Sequence, residues 1–116
     1  MSTVIPFQFN TASEIRTVLI NDDVWFIASD IARVLDFRDA EKLTRMLDDD
    51  EADTHIVGTR SENGIEQKRE VTIINESGLY HALIKSRKPE AKPFRKWVTG
   101  EVLPTTKWLF TNKHLH

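Results

Sequence analysis

The strongest constraint on this chain is a change of hydrophobic period at Ser29. Residues 14–29, EIRTVLINDDVWFIAS, carry two apolar, β-branched runs on either side of Asn21-Asp22-Asp23. Asn and Asp tolerate turn backbone, so the stretch predicts a β-hairpin, with PFQF ahead of it as a further short strand. From Ser29 onward the apolar residues recur at helical spacing. Ile31, Val34 and Leu35 share one face of SDIARVLDF, and Ser29 reads as its N-cap. A chain that passes from strand to helix without a linker excludes all-helical and all-strand folds and predicts an α+β domain.

The next segments extend that reading. In FRDAEKLTRMLDDDE, Ala40, Leu43 and Leu47 lie on one face and Glu41, Lys42 and Arg45 on the other. About four residues, Asp36 to Asp39, separate this helix from the first, so residues 29–47 read as a helix pair with helix-turn-helix spacing. The acidic run Asp48–Glu51 opposes the helix dipole and predicts an early end. THIVGT and REVTII read as strands of a second hairpin over residues 54–74, with Asn63-Gly64 as its turn signal. NESGLYHALIKS reads as a helix, capped by Asn75 or Ser77. Leu79, Ala82 and Leu83 form its apolar face, widened by Tyr80 and Ile84.

The last helix starts between Pro89 and Pro93, with Pro93 in its first turn because an interior proline costs about 3 kcal/mol. Phe94, Trp97, Val98 and Val102 form its inner stripe, and Lys92, Arg95, Lys96 and Thr99 lie opposite. Pro104 is expected to end it. The fold class is therefore α+β: an N-terminal β-hairpin, a helix pair, a second β-hairpin and two C-terminal helices. Residues 1–104 are expected to form a single domain and residues 105–116 a tail, whose Trp108, Leu109 and Phe110 suggest that it docks somewhere. Trp25 and Trp97 fall in apolar patterns and read as core.

Charge is distributed unevenly. Residues 1–75 hold eight Lys/Arg against fifteen Asp/Glu, whereas residues 76–116 hold eight against three. Within 85–96 alone lie Lys85, Arg87, Lys88, Lys92, Arg95 and Lys96, opposed by Glu90. In a chain of net charge −2 this is one basic end, and basic ends meet phosphate. SRKPEAK also precedes a helix start, where free backbone N–H groups favour anions.

Several chemistries find no support. There is no cysteine, which removes disulfides, thiolate nucleophiles and the common structural zinc sites. His55 and His81 are isolated in sequence, His114 and His116 lie in the tail, and Asp48–Glu51 lacks the spacing of a calcium loop. Ser29, Ser77 and Ser86 have no nucleophile setting; ESG lacks the flanking glycines of a nucleophile elbow. The expectation is a non-enzyme without cofactor or metal. The N-terminus lacks a secretory pattern and no run approaches the ~20 apolar residues of a membrane span.

VWFIASDIARVLDF, RMLDDDE and VTIINESGLYHALIKSRKPEAKPFRKWVTGEVLP occur in an order that resembles the BRO-N family, the N-terminal domains of phage antirepressors and of Bro proteins of large DNA viruses. The resemblance covers about residues 7–104. It implies an α+β domain that binds DNA, encoded in a phage or prophage and acting in the cytoplasm of a bacterial host. Many relatives carry Gly where this chain has Asp36, and Asp can adopt the same turn geometry. Many also carry a second, C-terminal domain, so the resemblance implies nothing here about the activity such a domain supplies.

Two basic surfaces follow as DNA-contact candidates. A helix pair followed by a hairpin resembles a winged-helix order, in which the second helix presents Arg38, Lys42 and Arg45 to the major groove and Arg60, Lys68 and Arg69 act as a wing on phosphates. The other is the 85–96 cluster. The resulting expectation is an antirepressor-like regulator of transcription that binds duplex DNA. The alternative is a protein-interaction module that binds a repressor without touching DNA, to which the acidic N-terminal part is suited. A homodimer fits either.

Overall fold

The computed structural model describes residues 4–60, 64, 66–86 and 88–113, the side chains of residues 59, 60, 66 and 110–113 excepted. Three strands open the chain as an antiparallel meander: β1 (Val4–Asn10), β2 (Ser13–Ile20) and β3 (Asp23–Ile27). Ile20 pairs with Asp23, so the β2–β3 turn is Asn21-Asp22 alone. Both have positive φ, 49° and 75°, as a two-residue type I′ hairpin requires. Asn and Asp reach this backbone region more readily than other non-glycine residues.

The strand β3 runs directly into α1 (Ala28–Val34). The helix therefore begins one residue before Ser29, which lies exposed in the first turn and does not cap. Ile27 occupies the cap position without a side-chain bond. The buried acid of that turn is Asp30, 1% exposed. It accepts from the Arg16 backbone N–H and from the Arg16 guanidinium at Nε and Nη2, all at 2.9 Å, and from Arg33 at 3.2 Å. Asp30 thus ties β2 to α1, and it raises the Arg16 pKa by hydrogen bonding. The helix closes with Asp36 at φ 62° and the Phe37 N–H donating to the Ala32 carbonyl at 2.8 Å. This is a Schellman closure, which explains why a glycine suits the position and an aspartate is tolerated.

The second helix of the pair is shorter than its apolar pattern predicts. α2 spans only Ala40–Thr44, capped by Asp39, whose side chain accepts from the Lys42 N–H at 2.8 Å. Met46 and Leu47 then bond back three residues, to Leu43 and Thr44, and a 3-10 turn follows at Asp49–Glu51. The acidic run opposes the dipole of any longer helix.

β4 (Ala52–Arg60) and β5 (Glu66–Asn75) pair antiparallel from Ala52↔Ile74 to Arg60↔Glu66. β5 also pairs with β3, but only over Trp25–Ile27. The two predicted hairpins are therefore parts of one five-stranded sheet, ordered β1-β2-β3-β5-β4, with the outer half of β4–β5 as a two-stranded ribbon. Gly64, at φ 76°, belongs to the predicted turn; Asn63 lies outside the described residues.

Three helices complete the chain: α3 (Glu76–Lys85), α4 (Ala91–Trp97) and α5 (Leu103–Lys113), with a π-helical turn at Val98–Val102 between the last two. Pro93 is the third residue of α4, as its backbone demands. Pro104 does not stop the helix. The π turn immediately before it shifts bonding to i→i+5, which displaces the carbonyl that a proline would otherwise meet. Thr106 Oγ1 bonds the Val102 and Leu103 carbonyls, each at 3.0 Å. The expected tail is thus helical to Lys113, and Trp108 is 61% exposed on it.

The helices cover one face of the sheet. Ile15, Phe26 and Ile74 pack there against Ile31, Leu43, Leu79, Phe94, Val98 and Val102. The other face carries a smaller cluster of Val18, Ile27, Val57 and Ile73, with Trp25 packed against it. No described helix is long and apolar enough to cross a membrane.

Candidate nucleic-acid interface

Aromatic packing fixes the orientation of α4. Phe9 on β1 meets Phe94 edge-on at 5.1 Å and Trp97 at 5.1 Å; Phe94 and Trp97 lie 5.7 Å apart, and Phe7 meets Trp97 edge-on at 6.4 Å. Such pairs add about 0.5–1.5 kcal/mol each beyond area burial. With Phe94 and Val98 fully buried, Lys92, Arg95 and Lys96 are turned outward and exposed. Exposed Lys85 ends α3, and Lys88 is half-buried in the link to α4.

Ser86 holds that link in place. Its N–H donates to the Ala82 and Leu83 carbonyls, its Oγ donates to the Leu35 carbonyl at 3.4 Å and accepts from the Lys88 N–H at 3.3 Å. The structure therefore places Lys85 at the end of α3, Lys88 in the link, and Lys92, Arg95 and Lys96 on the outer face of α4. Among the described residues none of the five makes a salt bridge. Arg87 lies outside the described residues.

The expected contribution of the helix start is small. The Ala91 N–H already donates to Lys88 and the Phe94 N–H to Glu90, and Pro93 has no N–H. Charge on side chains, not backbone amides, is what this segment offers an anion.

The 38–45 surface differs. Arg38 pairs with Asp39 at 3.2 Å, and Arg45 pairs with Glu41 one turn away. Asp39 has its pKa lowered first by the Lys42 backbone N–H and then by Arg38. Among the described residues, Lys42 is the one of the three cations without a carboxylate partner. On the ribbon, Lys68 is opposite Gly58 and Arg69 opposite Val57. Neighbouring strand residues alternate faces, so Lys68 and Arg69 point to opposite sides of the ribbon. The Arg60 side chain lies outside the described residues.

At the N-terminal end of α3 a second polar cluster forms that the sequence did not reveal. Glu51, 5% exposed, accepts at Oε1 from the Asp48 N–H at 2.8 Å and from His81 Nδ1 at 3.0 Å, and at Oε2 from Ser77 Oγ at 2.7 Å. Facing a carboxylate, Nδ1 is the protonated nitrogen. The His81 bond, then those from Asp48 and Ser77, hold the Glu51 carboxyl down to about 2 against the opposing effect of burial. His81, isolated in sequence, is thus bonded to a residue thirty positions away. Asn75 caps α3 by accepting from the Gly78 N–H and donates to the Asp50 carbonyl, both at 2.8 Å.

Ser77 donates to Glu51 and not to His81, which is not the geometry of an activated serine. Ligand atoms of Asp48, Glu51 and His81 lie within 4.8 Å of one another, but both Glu51 oxygens already hold hydrogen bonds. The cluster reads as a clamp between the 3-10 turn and α3.

The family described as "BRO family, N-terminal domain" matches residues 14–104. An uncharacterized protein of Haemophilus influenzae is 38% identical over 82 residues, which are 71% of this chain and 39% of that protein. The chain thus spans about two fifths of the length of that relative. No solved structure matches.

Proposed function

The chain belongs to the BRO family through its N-terminal domain, and from that premise we propose that it is a DNA-binding regulatory domain of the phage antirepressor kind. In this reading it acts on transcription in the cytoplasm of a bacterial host and performs no chemistry. Residues 1–104 form the binding unit, and residues 105–116 are an appendage to it.

The observation that carries the proposal is the set of unpartnered cations at the C-terminal end of α3 and on α4. Lys85, Lys88, Lys92, Arg95 and Lys96 hold no carboxylate among the described residues. Each cation that neutralises a phosphate releases counterions, so affinity comes from their number and sequence preference from elsewhere. Lys42 and the ribbon cations Lys68 and Arg69 are secondary contacts. Arg38 and Arg45 would have to exchange their own carboxylates for phosphates. Two copies related by a two-fold axis would read paired half-sites.

Fluorescence anisotropy of a labelled duplex at several salt concentrations tests this. The expected result is affinity that falls steeply, with a log–log slope of about −3 to −5 for three to five phosphate contacts. Absence of binding at the lowest salt would sink the proposal.

A further inference from the structure

The same end of the molecule holds something that phosphate binding does not require. α3 and α4 enclose a groove of about 480 Å³ lined by Tyr80, Leu83, Ile84, Ala91, Lys92 and Arg95. Its α3 side is apolar, and α4 contributes the two cations Lys92 and Arg95. Ile84, expected to widen the buried face of α3, is instead 81% exposed, because it lies about 140° around the helix from Leu79. Exposed single isoleucines are ordinary. This one lines a concave surface beside two cations that have no carboxylate partner among the described residues.

We propose that the α3–α4 groove is a docking site for an acidic amphipathic segment of a partner protein. A bulky apolar side chain of that segment seats against Ile84, Leu83 and Tyr80, and its flanking carboxylates meet Lys92 and Arg95. Charge complementarity selects the occupant. A DNA backbone satisfies the cations but leaves the isoleucine uncovered. A neutral apolar peptide covers the isoleucine but leaves the cations without partners. An apolar anchor between carboxylates does both, which is the helix-in-groove mode with added charge recognition. Burial and nearby Glu76 keep the Tyr80 hydroxyl protonated beyond its ordinary range, so it stays a donor for a carboxylate. Because Lys92 and Arg95 serve both ligands, the acidic segment and duplex DNA exclude one another. An acidic partner would then release the domain from DNA.

The test is selection of random twelve-residue peptides on the immobilised full chain, followed by anisotropy with the enriched peptide, labelled. Enriched sequences are expected to place an aromatic residue or leucine between Asp and Glu residues. Ile84→Ser, at an exposed position, should weaken that peptide about tenfold or more by removing the anchor contact. The same variant should leave duplex affinity within about twofold, since no charge changes. Lys96→Glu, outside the groove lining, should do the reverse. Failure to enrich any peptide, enrichment of sequences without carboxylates, or a peptide affinity unmoved by Ile84→Ser would each overturn the proposal. So would loss of duplex binding in Ile84→Ser, which would make the groove a base-binding pocket. A dimer of the native chain that Ile84→Ser dissociates in sedimentation would show that a second copy fills the groove. Absence of DNA binding by the native chain would sink the proposed function and leave the peptide result standing.

Discussion

The two ends of α3 are about 15 Å apart and handle charge in opposite ways. At the N-terminal end, the buried acid finds its partners within the fold. Glu51 holds His81, Ser77 and the Asp48 amide, and nearby α2 pairs Arg38 with Asp39 and Arg45 with Glu41. At the C-terminal end, Lys85, Lys88, Lys92, Arg95 and Lys96 are left without carboxylates among the described residues. Within α3 itself the charges follow the helix dipole, with Glu76 in the first turn and Lys85 in the last. The difference shows that a count of cations in a sequence overstates what is available to a ligand. Arg38, Lys42 and Arg45 equal Lys92, Arg95 and Lys96 in number, but two of the first three are already paired.

If the first end is structural and the second functional, substitutions at the first should change stability and leave DNA affinity alone. Glu51→Ala should have the largest effect, about 2–3 kcal/mol, because it leaves several donors without an acceptor; urea unfolding measures it. Gly78→Ala should follow. A Cβ there would lie 2.8 Å from the Glu51 carbonyl and 3.3 Å from Leu47 Cδ1. Overpacking of about 1–3 kcal/mol is partly offset by about 1 kcal/mol of helix propensity, for a net loss near 1 kcal/mol. A stabilised Gly78→Ala would mean that this end is looser than described.

The pH dependence sharpens the same contrast. Glu51 titrates at about 2 in the fold against an ordinary 4.5, so its contribution is fully present above 4.5 and is lost as pH falls toward 2. Unfolding curves of the native chain should show this acid loss, and Glu51→Gln should not. The smallest effect is expected from Arg38→Ala, Lys42→Ala and Arg45→Ala together, which should change duplex affinity by less than about threefold, since exposed pairs already occupy two of the cations. A larger fall would break the comparison, because it would place α2 on DNA.

Local chemistry made much of this legible in the sequence. Asn21-Asp22-Asp23 marked the hairpin turn, which the structure narrows to its first two residues, Asp36 could take turn geometry at the end of α1, and the stripe Phe94, Trp97, Val98 and Val102 placed Lys92, Arg95 and Lys96 outward. What was hidden depends on partners far away in the chain. Period-two patterns assign faces to strands but not neighbours, so the union of two hairpins through β3 and β5 could not be read. The π turn before Pro104 has no local signal, and the helix therefore continued where a stop was expected. Glu51 and His81 meet only because α3 docks on the 3-10 turn. The groove requires α3 and α4 to be set side by side before Ile84 can line it.

The most direct test is the triple variant Lys92→Glu, Arg95→Glu and Lys96→Glu beside the native chain, with duplex affinity at ~50 mM salt and thermal unfolding measured on the same samples. Affinity should fall about a hundredfold or more, because three phosphate contacts become three repulsions. The Tm should fall by no more than about 5 °C, since acids at 95 and 96 oppose the dipole in the last turn of α4 while one at 92 favours it in the first. An unchanged affinity would contradict the account, as would a loss of binding that merely accompanies unfolding.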